Sequence, residues 1–149
     1  MNKAYKITDR LVLPHTTIEL RDDGIIQFFY GDHIEYTMKE TEELERAVEK
    51  MTGGVIHKSL RIAGKFSNLD VDVMKYLSRG RGTLFTLADS FVLQSLAHKI
   101  IANFYLRINK PVLPTRFFNK LDEAEAWLQS LDNEELQRMH KLKILQFNK

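Results

Sequence analysis

The chain has 149 residues and no cysteine, a length typical of one domain, so a disulfide framework, a thiolate nucleophile and a Cys-based zinc site are excluded. Its 22 Lys and Arg nearly balance 20 Asp and Glu, for a formal net charge of +2, which argues against a nucleic-acid partner. No apolar run is long enough for stable membrane insertion and no signal-peptide segment opens the chain, so we expect a cytoplasmic protein.

The first half of the chain reads as short strands. Alternating apolar residues over Thr16–Arg21, Ile25–Tyr30 and Ile34–Met38 are separated by turns that contain Gly and Asp. This pattern predicts an antiparallel meander. The opening segment, Tyr5–Leu13, either adds a strand or lies across an edge.

The pattern then changes to a helical period. Thr37 and Glu40 have the spacing of a capping box, and Gly53 follows where the helix should end. The β-branched run Val55–Ala63 predicts an interior strand after it.

A second helix is predicted after that strand. Ser67 and Asp70 are suited to cap it, and Gly80 or Gly82 would end it. Thr83–Leu87 contains no charge and predicts the next strand.

Asp89 or Ser90 is then expected to cap the longest helix, Phe91–Ile108, which carries a wide apolar face. Two prolines bracket the last strand, Val112–Phe118, and they favour an edge position because proline cannot donate a ladder hydrogen bond.

Two helices complete the prediction. Asn119 is the expected N-cap of the first, which carries Trp127, and the second covers Asn133–Leu145. We expect residues 1–131 to form the α/β domain and residues 132–149 to be an amphipathic helix appended to it.

Together these elements predict an α/β fold with a mixed central sheet. The N-terminal strands are antiparallel, and the later strands are parallel because helices connect them. Helices pack on the sheet. Adjacent aromatic residues, Phe28 with Phe29 and Phe117 with Phe118, point to opposite faces, so either both faces are covered or an aromatic strip is exposed.

Three segments in this order resemble a known family. They are GKFSNLDVDVMKYL after the strand ending at Ala63, then ANFYLRINKPVLPTRFF, and then EAEAWL. Over about residues 16–131 the chain is similar to the STAS/SpoIIAA-like domains, and within them to small stand-alone bacterial members that are largely uncharacterised.

The resemblance implies a regulatory domain that binds a protein partner. In some family members a serine at the start of the helix after a core strand is phosphorylated, and Ser67 is the nearest match here. Ser67, Asn68 and Asp70 are therefore a candidate phosphosite and docking element. A plain helix cap by Ser67 and Asp70 is the simpler alternative.

Other candidate sites are weaker. Arg79 and Arg81 lie between glycines and could contact an anion, but a helix-ending turn with solvated arginines also explains them. The five histidines have no metal-ligand spacing, and no G-x-S-x-G motif is present. We therefore expect no metal, no cofactor and no enzymatic activity.

The sequence thus predicts a non-enzymatic regulatory module for protein–protein interaction, with serine phosphorylation as a candidate switch. The alternative is an α/β domain that binds a small ligand or lipid between sheet and helices. A protein partner is expected, and a homodimer is left open.

Overall fold

The computed structural model describes residues 2–79, 85–95, 102, 107 and 113–147. In chain order its elements are β1 (Ile7–Val12), β2 (Thr16–Arg21), β3 (Ile25–Tyr30), β4 (Glu35–Tyr36), α1 (Met38–Thr52), β5 (His57–Ile62), β6 (Asn68–Leu69), α2 (Val71–Arg79), β7 (Thr86–Val92), β8 (Thr115–Phe118), α3 (Leu121–Ser130) and α4 (Asn133–Phe147).

A six-stranded sheet with the order β1-β2-β3-β5-β7-β8 forms the centre of the fold. The first three strands are antiparallel, and β3, β5, β7 and β8 are parallel to one another. The predicted mixed sheet is confirmed. The opening segment does add a strand, and the Pro-bracketed last strand does lie at an edge.

The third predicted strand of the meander is wrong. Within Ile34–Met38 only Glu35 and Tyr36 form a strand, β4, and it pairs in parallel with β6 in a separate two-stranded sheet. The free edge of β3 is taken by β5, so the chain must leave the sheet after Tyr30. His33 makes this turn in the left-handed region, with φ of 57°.

Helix α1 begins and ends as predicted. The Thr37 side chain accepts a hydrogen bond from the backbone N–H of Lys39, and the Glu40 carboxylate accepts one from the backbone N–H of Thr37. Gly53 ends the helix in the left-handed conformation, with φ of 64°, which glycine adopts without steric cost.

Asp89 and Ser90 do not cap a helix, and this prediction is wrong. Both lie inside β7, where Asp89 is 2% exposed and Ser90 is 0% exposed. The strand tolerates the aspartate because Arg61 of β5 pairs with it. Phe91 also belongs to β7, and most of the predicted helix Phe91–Ile108 lies outside the described residues.

Two further cap predictions are wrong. Helix α2 begins only at Val71, so Ser67 is too early to cap it. Asp70 does cap it, because its carboxylate accepts a hydrogen bond from the N–H of Asp72 at 2.8 Å. Helix α3 follows Lys120, which makes no side-chain capping bond, and Asn119 is not the cap.

Helices cover both faces of the sheet. On one face α3 and α4 pack on a core that includes Ile25, Leu60 and Leu128. On the other face α1 packs on a second cluster that includes Ile26, while α2 belongs to a third. The adjacent phenylalanines of β8, Phe117 and Phe118, are both buried, one on each face of the sheet. For this pair, therefore, both faces of the sheet are covered and no aromatic strip is exposed.

Candidate functional site

A cavity lies between the sheet and the helices α1 and α2. Its larger chamber has a volume of about 320 Å³, and a smaller chamber of about 40 Å³ adjoins it beneath α1. The two chambers share four lining residues, which are Tyr30, Tyr36, Arg61 and Leu69. The volume of the larger chamber lies at the lower end of the range for small-molecule sites.

Arg61 is the polar centre of the cavity. It comes from β5, next to Leu60, and alternation along the strand turns Arg61 towards α1 and α2 while Leu60 packs under α3. Its Nε–H donates to Oδ1 of Asp89 at 2.8 Å, and its Nη1 donates to the hydroxyl of Tyr30, also at 2.8 Å. Among the described residues, its Nη2 has no hydrogen-bond partner.

Aromatic rings flank the same guanidinium group. Its central carbon lies 5.0 Å from the ring centroid of Phe28 and 5.8 Å from that of Phe91. Both distances are within the range of a cation–π interaction. The ion pair, the hydroxyl and the two rings together hold Arg61 in one orientation.

Burial and the neighbouring charges shift the pKa values of Arg61 and Tyr30. Burial alone would lower the pKa of Arg61, but the charge of Asp89 and the hydrogen bonds to Asp89 and Tyr30 outweigh it and raise that pKa. Burial also raises the pKa of the Tyr30 hydroxyl, despite the opposing influence of Arg61. Arg61 is therefore charged and Tyr30 is protonated over the physiological range.

The remainder of the larger chamber is mainly apolar. Side chains from α2, β7, β8 and the position directly after β7 supply this lining, including Val71, Met74, Phe91, Leu93 and Phe117. The arrangement can hold a hydrocarbon group against these side chains while Arg61 donates to an oxygen atom of the same molecule.

The smaller chamber also contains an acidic side chain. Glu45 of α1 lines it and accepts a hydrogen bond from the Tyr76 hydroxyl at 2.7 Å. Burial raises the pKa of Glu45, while Tyr76 and Arg61 oppose the shift. The carboxyl group therefore holds its proton to higher pH than a solvated glutamate does.

The predicted site residue Ser67 sits at the rim of the cavity and is 7% exposed. Its hydroxyl donates to the carbonyl oxygen of Gly31 and accepts from the N–H of Ile34 at 3.2 Å. We call these contacts the Ser67 clamp, because they join the loop after β5 to the turn after β3. Gly64 is required beside it, since a Cβ atom there would lie 2.2 Å from the same carbonyl oxygen.

The neighbours of Ser67 are more exposed. Asn68 lines the rim in β6, and Asp70 caps α2. Phe66 is 79% exposed, adopts φ of 56°, and stacks on His33 with 5.1 Å between ring centroids. The predicted docking element therefore lies at the entrance of the cavity.

The remaining candidates are the predicted anion site and the histidines. Arg79 is the last residue of α2 and Arg81 lies outside the described residues, so the anion site stays a prediction. The His15 ring contacts Thr16 and Glu43. In the described part of the chain, no three His, Asp or Glu side chains are placed to hold a metal ion.

Sequence reasoning missed Arg61, Asp89 and Tyr30 as site residues. A signal was present, because Arg61 lies in one interior strand and Asp89, of opposite charge, lies in the neighbouring one. Charged residues are rarely buried unless they are paired, so Arg61 and Asp89 could have been matched across the two strands.

The fold defines the chain as an α/β domain of the SpoIIAA-like class. It is similar to the crystal structure of an uncharacterised DUF3478-family protein with a SpoIIAA-like fold from Shewanella loihica PV-4, with 12% identity and a TM-score of 0.52 over 86% of this chain and 98% of that one. The predicted STAS/SpoIIAA-like architecture is confirmed. Over residues 18–132 the chain matches the model of a domain of unknown function, DUF7793, and it belongs to that family.

A protein of unknown function from Arthrobacter sp. FB24 is 23% identical over 76% of this chain and 99% of that one, with a TM-score of 0.26. No curated protein matches the chain in sequence. Across the described segments, no helix has both the length and the apolar character needed to cross a membrane.

Proposed function

We propose that this domain is a non-enzymatic module that binds a small apolar molecule between the sheet and helix α2. The observation that carries the proposal is the chamber of about 320 Å³, whose lining is mainly apolar and includes one buried arginine. A well-formed apolar pocket with few convergent polar groups is the usual form of a ligand site.

The pairing of the polar groups supports binding over catalysis. Arg61, Asp89 and Tyr30 are bonded to one another, so each holds the next in place. A nucleophile needs a neighbouring base that is available to accept its proton. Here the Asp89 carboxylate accepts from a guanidinium group, which keeps its own protons.

The first experiment is native mass spectrometry of freshly purified protein, in which a co-purifying apolar molecule would add mass. Titration with N-phenylnaphthylamine, an uncharged apolar dye, then measures access to the cavity. We expect Ala63→Phe to reduce dye binding at least tenfold, because Ala63 lines the larger chamber. Ala126→Phe is the matched control, since Ala126 is exposed on α3 at the opposite face of the sheet.

The proposal fails if the protein purifies without added mass and neither variant differs from the wild type in dye binding. It also fails if Ala126→Phe reduces dye binding as much as Ala63→Phe does, because the dye would then report general surface binding.

A specific observation also favours the second candidate, docking of a protein partner at the predicted element. Phe66 and Val71 are 79% and 60% exposed and flank Ser67 and Asn68 at the cavity entrance. The affinity of a partner that contacted these side chains would depend on whether the cavity is filled. Ser67 phosphorylation stays a prediction, and it would require the Ser67 clamp to open first.

Comparison of Phe66→Ser with Val55→Ser tests this second function. Val55 is 62% exposed and lies away from the entrance, in the loop before β5. A partner captured by the wild type and by Val55→Ser, but lost with Phe66→Ser, would support docking at Phe66. Equal capture by all three proteins would contradict it.

A further inference from the structure

The polar groups of the larger chamber specify the chemistry of its ligand, an inference that rests on the proposed binding function. Arg61 is the only charged residue among the described residues that line this chamber. Its charge is already compensated, because Nε–H donates to the carboxylate of Asp89 at 2.8 Å and both side chains are buried. The centre as a whole is therefore close to electrically neutral.

At this buried centre the polar groups that remain are hydrogen-bond donors, whereas the amide of Asn68 lies at the exposed rim. A guanidinium group has five N–H donors and no acceptor, and Nη2 of Arg61 has no partner among the described residues. The Tyr30 hydroxyl oxygen accepts a hydrogen bond from Nη1 of Arg61, so the proton of the Tyr30 hydroxyl points away from that nitrogen. A ligand atom next to both groups must accept hydrogen bonds.

An anion is a poor match for these donors. A carboxylate or phosphate would add negative charge beside Asp89, and in a low-dielectric cavity that repulsion offsets much of the attraction to Arg61. Glu45 in the adjoining chamber is a second acidic group on the same side of the sheet. No described lysine lines either chamber to compensate the added charge.

The size and lining of the larger chamber determine what the rest of the ligand can be. A volume of about 320 Å³ holds about ten groups of the size of a water molecule, at about 30 Å³ each. The apolar side chains of Met74, Phe91 and Phe117 line the space beyond Arg61. A hydrocarbon chain of medium length fits this lining.

We propose that the chamber binds an uncharged molecule with a hydrocarbon chain of medium length and an oxygen-containing group, such as an ester or ketone. The oxygen of that group accepts hydrogen bonds from Arg61 Nη2 and the Tyr30 hydroxyl. The hydrocarbon part lies against the apolar side chains of α2, β7 and β8. The buried pair of Arg61 and Asp89 discriminates against acids of the same length.

Isothermal titration calorimetry with three probes of similar size tests the proposal on the full chain. Methyl nonanoate is an uncharged isomer of decanoic acid, decanoate carries one negative charge, and octyl phosphate carries up to two. We expect methyl nonanoate to bind at least tenfold more tightly than decanoate, a difference of about 1.4 kcal/mol. Octyl phosphate should show no measurable binding.

The variant Tyr30→Phe removes one of the two donors and should weaken methyl nonanoate binding about tenfold. Tyr5→Phe is its matched control, because Tyr5 stacks on Arg21, which packs against Glu125 of α3 on the opposite face. Decanoate or octyl phosphate binding as tightly as the ester would overturn the inference and leave the proposed binding function standing. If none of the three probes binds while N-phenylnaphthylamine still binds in the cavity, the inference alone is overturned. If the dye also fails to bind and the protein purifies without added mass, both are overturned.

Discussion

Arg61 and Asp89 face each other across two neighbouring parallel strands, β5 and β7, with 2.8 Å between Nε and Oδ1 and both side chains buried. Such a pair is held in place by the rest of the core, since each charge alone would be unfavourable there. It fixes the orientation of the guanidinium group at the cavity. The same pair therefore serves the stability of the sheet and the geometry of the site.

The first prediction concerns the removal of one charge from this pair. Arg61→Met should lower the free energy of unfolding by about 3–5 kcal/mol, because it leaves the Asp89 carboxylate buried without a counter-charge. Urea denaturation measures the loss. The matched control is Arg138→Met, since Arg138 pairs with Glu135 in an exposed ion pair and should lose less than about 1 kcal/mol.

A double variant, Arg61→Met with Asp89→Leu, sharpens the first test. Removal of both charges avoids the uncompensated carboxylate, so the double variant should be more stable than Arg61→Met alone. A single variant that loses no more than the Arg138→Met control would contradict the burial of the pair.

The second prediction concerns the Ser67 clamp. Ser67→Ala should lower the free energy of unfolding by about 1–3 kcal/mol, because the carbonyl of Gly31 and the N–H of Ile34 each lose a partner near the protein interior. Ser67→Asp should cost more, since it places a negative charge next to that carbonyl oxygen. Ser130→Ala is the control, as the Ser130 hydroxyl makes one exposed bond, to Trp127.

Thermal and urea unfolding of the three variants give the comparison. If Ser67→Asp proved as stable as the wild type, the clamp would not hold the loop as described. That result would also make phosphorylation of Ser67 compatible with the folded state.

The sequence could predict those elements whose signal is local. The capping box of Thr37 and Glu40 and the turn at Gly53 depend on residues within α1 or directly beside it, and both are confirmed. The alternation along β2 and β3 is equally local, and it places Ile18 and Ile26 on one face. Such patterns depend little on the remainder of the fold.

The predictions that failed depended on distant partners. Asp89 and Ser90 have the residue types of a helix cap, and only their neighbour in β5, Arg61, makes a buried aspartate tolerable. Ser67 likewise bonds to Gly31, 36 positions earlier. Local spacing carries no information about such contacts, so the site centre could not be read from any single segment.

The third prediction concerns Ser90, whose hydroxyl is fully buried and has no hydrogen-bond partner among the described residues. Ser90→Ala should raise the free energy of unfolding by about 1 kcal/mol, because it removes a buried polar group that gains nothing in the fold. Ser59→Ala is the matched contrast. The Ser59 hydroxyl bonds to that of Thr86 at 2.9 Å, so this variant should lose about 1 kcal/mol.

Urea denaturation of both variants separates the two cases. A loss of stability in Ser90→Ala equal to that in Ser59→Ala would mean that the Ser90 hydroxyl does have a partner in solution, such as a bound water molecule.

The fourth prediction concerns the pH dependence of stability through Glu45. Burial raises the pKa of Glu45 in the folded protein, so the folded state keeps this proton where the unfolded chain has already lost it. The stabilising contribution is therefore fully present below the unfolded pKa and is lost as the pH rises through the unfolded value towards the folded one. Above that range the ionised carboxylate opposes folding.

Glu45→Gln removes the ionisation while the side-chain carbonyl can still accept the hydrogen bond from Tyr76. We expect the variant to be more stable than the wild type near pH 7 and to lose this advantage at about pH 3, where the wild-type carboxyl is protonated in both states. Glu49→Gln, at an exposed position one turn further along α1, is the control. A stability difference between wild type and Glu45→Gln that stays the same at both pH values would show that Glu45 is solvated, and the smaller chamber would then be open to water.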